Sequence, residues 1–430
     1  SSRISPLKGY AIAELVVAIW AFMISAILQF SESSMIAPWL SHSSFALQTA
    51  TRAIFSFLLL LPATIALGVT LPMMASYFSG NKPGQLLNVR YSSRVTLAYA
   101  VNTAGAFVGV LAATFFMLVV VGVRTSSYVA ASMSVLCALA ALFLAREETS
   151  VDEQETKAEV HEQDCHTTLD SRLWTLSSLS ALSGFGILAL QVLYTRMFSL
   201  VFHNSTYTFG IVVAVFLASL AIGAAITARL QSRFDTRHLI GVTTGLGALA
   251  TASSIVIFIG ITDLKYFNCG DSFIQYMFGA ILLVSIVVAP SIICLGTILP
   301  QVWVLAAQSG TAARIVGHLT AVNTMAASLG AFLASFAFLT WVGLWQSIVL
   351  IAALFLLAAL VLLSQSKQTR IAVVISILTA AVSVIAWQSP IESDFNRQKY
   401  HEQLIKRWNS SYGWIDVVQN EETGSFKIRQ

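Results

Sequence analysis

Apolar runs long enough to cross a bilayer recur along the whole chain, and nothing else constrains the fold as much. A membrane-spanning helix needs about 20 consecutive apolar residues. Eleven such runs can be drawn, near 9–30, 50–78, 95–120, 124–145, 173–202, 205–229, 239–261, 273–306, 313–340, 345–364 and 370–388. Of the 430 residues, 57% are hydrophobic and 10% charged, against about 25% charged in ordinary soluble domains. A soluble core cannot absorb that much apolar surface. The expected fold is an all-α polytopic membrane protein of about 11 transmembrane helices, with the lipid bilayer as its main partner.

Two of the spans, 50–78 and 273–306, are longer than a crossing requires and carry the same pattern of helix breakers. The first has Pro62, Gly68 and Pro72, the second Pro290, Gly296 and Pro300, both as Pro-x5-Gly-x3-Pro. Each is followed by Ala-Val-Asn-Thr, at Ala100–Thr103 and at Ala321–Thr324. After the asparagines the register continues, Gly109 and Gly122 in one copy matching Gly330 and Gly343 in the other. A fixed breaker pattern that recurs signals internal duplication. The second and eighth spans cross in the same direction, so the expected arrangement is two parallel, facilitator-like repeats, the first incomplete.

Arg3, Lys8, Lys82, Arg90, Arg94, Arg146, Arg172, Arg229, Arg233, Arg237, Arg314, Lys367 and Arg370 fall on alternate connections; the opposite ones hold little beyond Arg124 and Lys265. Positive charge marks the cytoplasmic side. The N-terminus is therefore expected in the cytoplasm and the tail after the eleventh span outside it. The expected organisation is a first membrane repeat at 1–145 (four helices), an acidic cytoplasmic linker at 146–172, a second repeat at 173–365 (six helices), a last helix at 366–389, and the start of a soluble domain at 390–430. The linker holds nine acidic and three basic residues, a composition that does not bury enough apolar area to fold. In the tail, 412–418 and 426–428 read as short strands. The chain starts at Ser1 without Met, and no signal pattern precedes the first span, which suggests a processed or partial chain.

The four cysteines, Cys137, Cys165, Cys269 and Cys294, form no CxxC pair. His161, Cys165 and His166 sit close together in the acidic linker, where a solvated loop is the better reading than a metal site. No disulfide framework, metal centre, cofactor or nucleic-acid partner is expected.

Several blocks resemble the membrane region of the bacterial fused facilitator-like/spermidine synthase family. They are Pro6–Tyr10 with Glu14-Leu15, Ser183-Gly184-Phe185, Ala189–Arg196, Phe216-Leu217 with Gly223, and both Gly-x3-Pro and Ala-Val-Asn-Thr blocks. The resemblance covers most of residues 5–365. It implies a bacterial inner-membrane location, two repeats of six helices, and an aminopropyltransferase domain after the last span. This chain departs from the family in having Gln191 and Tyr194 in place of Glu and Trp, and in lacking two N-terminal helices. A partner polypeptide or an earlier segment would complete the first repeat. No Gly-rich nucleotide loop follows a strand anywhere, so aminopropyl transfer would need a downstream domain.

Asn102 and Asn323 lie in apolar spans beside small residues. That pattern serves as helix-packing glue or as a pseudo-symmetric pair of solute-binding groups. Gln191, Arg196 and Glu14 are further candidates for solute binding, because polar groups in a span mark sites by default. Snorkelling to the interface competes with that reading for Glu14 and Arg196, and for Arg52. Pro62, Gly68, Pro72, Pro290, Gly296 and Pro300 are the expected hinges or helix breaks. Trp39, Trp174, Trp303, Trp341 and Trp345 fit an interfacial belt. Three functions follow: binding or transport of a small solute, with a polyamine implied by the resemblance; a non-transporting scaffold for a soluble enzyme or partner subunit; and aminopropyl transfer if a synthase domain follows.

Overall fold

The computed structural model describes residues 5–33, 44–78, 89–149, 168–202, 205–231, 233–267, 270, 272–307, 312–365, 368–387, 402–409 and 414–429. The first helices are α1 (Pro6–Ser33), α2 (Phe45–Phe78), α3 (Val89–Ala112) and α4 (Gly122–Thr149), followed by α5 (Thr168–Phe198) and α6 (Thr206–Leu230). Then come α7 (Thr236–Thr262), α8 (Phe273–Leu295), α9 (Ile298–Ala307), α10 (Ala312–Leu333), α11 (Leu344–Gln365) and α12 (Thr369–Trp387). Among the described residues eleven helical stretches are long and apolar enough to span a membrane, α8 and α9 together forming one of them. The chain is an all-α polytopic membrane protein. Helices are the form that satisfies every backbone group inside hydrocarbon, so the apolar runs leave no alternative.

Two compact units are formed. One comprises Ser1–Tyr91, Ala112–Cys165 and Ala307–His318. In it α1 packs against α2 and α4; the Trp20 indole N–H donates to Leu59 O at 2.6 Å, and Phe22 stacks on Tyr128 with centroids 5.6 Å apart. Ala11, Ala138 and Ala141 make a small-residue seam. Glu14 is buried at 9% exposure and hydrogen-bonded to Tyr10 one turn back. The snorkelling expected of Glu14 does not occur, because Glu14 and Tyr10 lie on one face of the helix and satisfy each other there.

The other unit comprises Ser92–Leu111, His166–Ala306 and Leu319–Gln430. About half of the most apolar stretch is buried in each span from Leu173 to Ala306, against 6–22% in the four spans from Pro6 to Arg146. Helices α5 and α10 meet closely. A Cβ on Gly184 would sit 2.1 Å from Asn323 O, and one on Gly330 would sit 2.2 Å from Phe185 O. Ser180 Oγ donates to Leu319 O at 2.7 Å along the same seam. Only residues without a side chain allow two backbones this close. Helix starts follow local chemistry: Ser205 caps α6 through Thr208 N–H, Asp235 caps α7 through Arg237 N–H, and Ser272 with Gln275 forms a capping box on α8.

Two π-helical segments follow α3 and α10, at Ala113–Met117 and Ala334–Val342. They begin at matching distances after Asn102 and Asn323. Each leads to a glycine with positive φ, Gly122 at 78° and Gly343 at 97°. The tail forms a three-stranded antiparallel sheet in the order β1 (Glu402–Asn409), β2 (Trp414–Asn420) and β3 (Phe426–Arg429). The sequence pointed to the second and third strands; β1 is additional. Asn420 Oδ1 closes the hairpin by accepting from Glu422 and Thr423 N–H. Most of the acidic linker and the start of the tail lie outside the described residues.

Candidate functional site

The two breaker patterns take different local forms. Helix α2 runs unbroken from Phe45 to Phe78 through both Pro62 and Pro72, so the break expected there is absent. Each proline frees one carbonyl, of Leu58 and of Gly68. Nothing lies within 4 Å of a Cβ placed on Gly68, so the helix has room to curve around the proline rather than stop.

In the other copy α8 ends at Leu295 and α9 restarts at Ile298. Here the backbone is hemmed in: a Cβ on Gly296 would sit 2.8 Å from Ile292 O and 3.0 Å from Leu220 Cδ2. A Cβ on Gly223 would sit 2.5 Å from Ile293 O. The α6 backbone therefore presses on α8 where Pro300 already denies Gly296 O its helical partner. The chain answers with a tight turn, Thr297 N–H donating to Cys294 O at 3.3 Å. Pro300 then falls in the first turn of α9, where its missing N–H costs nothing.

Three polar side chains gather at this break. Thr297 Oγ1 lies 2.9 Å from Thr243 Oγ1, and Gln301 Nε2 donates to the same oxygen at 3.3 Å. Thr243 Oγ1 donates in turn to Leu239 O at 2.9 Å. Gln301 is fully buried, and its Oε1 has no partner among the described residues. Turning the amide over would only exchange which polar atom is left over. An unmet buried acceptor costs about 1–3 kcal/mol, and such a cost concentrates where a helix is broken for use.

A second buried group grips α8 about one turn before the break. Tyr194, fully buried, places its hydroxyl 3.2 Å from Ser254 Oγ and 3.1 Å from Ser291 Oγ, the residue after Pro290. Ser254 donates to Thr251 O and Ser291 to Val288 O. Both serine protons are thus committed to backbone carbonyls, and the single Tyr194 O–H donates to one serine oxygen at a time.

The residues singled out in the sequence are dispersed. Asn323 is half-buried at the Gly184 contact, with Oδ1 unpartnered among the described residues. Asn102 is exposed on α3. Gln191 is half-buried on α5, and half-buried Arg196 donates to Ser199 Oγ at 3.3 Å. Glu14 belongs to the other unit. Trp303 and Trp345 are buried at 2% and 5% exposure, not interfacial as expected; Trp303 packs edge-on against Tyr99 at 5.3 Å, and Trp345 lies beside Phe258 at 6.1 Å. Both are core side chains because each finds an aromatic partner inside the unit. Trp174 and Trp341 are exposed, and Trp39 lies outside the described residues.

The Thr243, Thr297 and Gln301 cluster was not singled out in the sequence. Its signal was a glutamine directly after Pro300 in an otherwise apolar run. The fold and site define an integral membrane protein with a broken helix and a buried polar cluster beside the break. No protein-family model matches the chain, and no curated protein matches it.

Proposed function

We propose that the chain is the membrane domain of a spermidine-synthase-like protein and that it binds and moves a small polar solute. The broken helix carries this reading: the interruption at Gly296–Thr297, with fully buried Gln301 and its unpartnered amide atom one turn on. Broken helices at bilayer depth are tolerated where backbone and side-chain polar groups serve a cavity or ligand. Thr243 and Thr297 offer hydroxyls to the same solute. The family resemblance makes a polyamine the first solute to test.

Equal spacing of the two breaker patterns supports a parallel repeat, and so do the matching π segments and the positive-φ Gly122 and Gly343. In this reading the repeats rock against each other, with Asn102 and Asn323 as equivalent polar positions. The setting is the bacterial inner membrane, with the N-terminus cytoplasmic and the β-sheet tail outside.

The test is uptake of labelled spermidine by proteoliposomes. Wild type accumulates it, and the double variant Asn102→Ala with Asn323→Ala does not; undiminished uptake by that variant removes the two asparagines from the mechanism. A scaffold without transport is the second reading, favoured by the buried Tyr194–Ser254–Ser291 cluster and the close α5–α10 seam. Absence of uptake across a panel of amines, amino acids and organic acids would select it.

A further inference from the structure

A cavity of about 410 Å³ opens where α5, two to three turns after its start, and the first turn of α7 meet the ends of α9 and α11. Five polar residues line it: Thr175, Asp235, Arg237, His238 and Gln365. The remainder of the wall is aliphatic, with Ile240 and Leu305 among its residues. Drug-sized and metabolite-sized ligands occupy cavities of about 300–1,000 Å³ with this mix of apolar wall and few polar groups.

Asp235 and Arg237 carry opposite charges two residues apart on one cavity wall, and they form no ion pair with each other among the described residues. Asp235 uses one carboxylate oxygen to cap α7 through Arg237 N–H at 3.2 Å, which leaves its second oxygen available. The guanidinium of Arg237 presents a planar fork suited to a carboxylate. His238 adds a ring donor beside it.

Ile240 lies one turn before Thr243 on α7, and Leu305 lies one turn after Gln301 on α9.

We infer that this cavity is a binding site for a small zwitterion with an apolar portion, such as a neutral amino acid. Arg237 and His238 take the carboxylate, Asp235 takes the ammonium group, and the leucines hold the apolar part. An anion alone leaves Asp235 unmatched, and a polycation meets Arg237. The site does not depend on the transport reading, since binding at the mouth requires no passage.

The experiment is equilibrium binding of labelled L-leucine to the purified full chain in nanodiscs of neutral lipid. Isovalerate, isoamylamine and spermidine serve as competitors. Leucine binds saturably and is displaced poorly by either single-charge analogue. Arg237→Gln and Asp235→Asn each weaken binding by at least tenfold. Asparagine caps a helix as well as aspartate does, so Asp235→Asn removes the charge without the cap, and an unchanged melting temperature verifies this. The inference is overturned if wild type binds no leucine, if isovalerate competes equally, if spermidine competes more strongly, or if Asp235→Asn binds as wild type does. Loss of leucine binding on adding anionic lipid to the nanodiscs also overturns it, by assigning the charges to lipid headgroups. Leucine binding without uptake in proteoliposomes leaves this site standing and removes only the transport proposal.

Discussion

Gln301 and Tyr194 show how the same kind of residue serves two ends at different places in one unit. Tyr194 sits among hydroxyls that already have backbone acceptors, so removing its oxygen leaves Ser254 and Ser291 satisfied. Tyr194→Phe is therefore expected to cost no more than about 1 kcal/mol, read as a small shift in the denaturant midpoint of the purified protein. A loss of folding in that variant would show the cluster to be essential. Gln301 is the opposite case, with a buried amide atom unmatched. Gln301→Leu keeps the volume roughly constant and removes the unmet group, which should stabilise the protein by about 1–3 kcal/mol. It should also remove solute movement. A destabilised Gln301→Leu would mean that the amide is held by packing rather than kept for a ligand.

At the level of elements, close backbone approach explains why one Pro-x5-Gly-x3-Pro stretch breaks and the other stays helical. Both stretches have identical breakers, so the sequence pattern alone did not separate a hinge from a break. The difference lies in what touches the glycines: Gly68 has open space, whereas Gly296 is pressed by Leu220 and Gly223 from α6. Neighbours of that kind are tertiary facts with no local signature. The spans themselves were legible to within several residues at their ends, because length and apolarity decide them. Position along a span does not tell which face a side chain meets, so Glu14, Trp303 and Trp345, which read as interfacial, are buried. The α5–α10 seam gives a direct check. Gly184→Val places atoms where Asn323 O now lies and should cost at least about 1–3 kcal/mol by overpacking, whereas Gly68→Val, with nothing within 4 Å, should cost much less. Equal stability of the two variants by thermal denaturation in detergent would contradict the seam.

For the molecule as a whole, the proposed topology takes the eleven candidate spans among the described residues as eleven crossings. It puts the tail sheet on the side opposite the N-terminus. Ser425, in the exposed β2–β3 turn, offers a site for checking this. In a chain with its four cysteines replaced by serine, Ser425→Cys should react with a membrane-impermeant maleimide added to intact cells. Labelling only after the membrane is opened would reverse the proposed orientation or remove one crossing. Gly184 and Gly330 are both points of close approach between α5 and α10. The buried cluster at Gln301 and the charged cavity above it draw residues from separate helices, and no single stretch of sequence displays either.

The central claim is that the broken helix with Gln301 serves solute movement, and proteoliposome uptake of a labelled solute panel by wild type and Gln301→Leu tests it most directly. Wild type should take up at least one small amine or zwitterion saturably, and a Gln301→Leu variant that is at least as stable should lose at least tenfold. Equal uptake by the two proteins, or none by wild type, would contradict it.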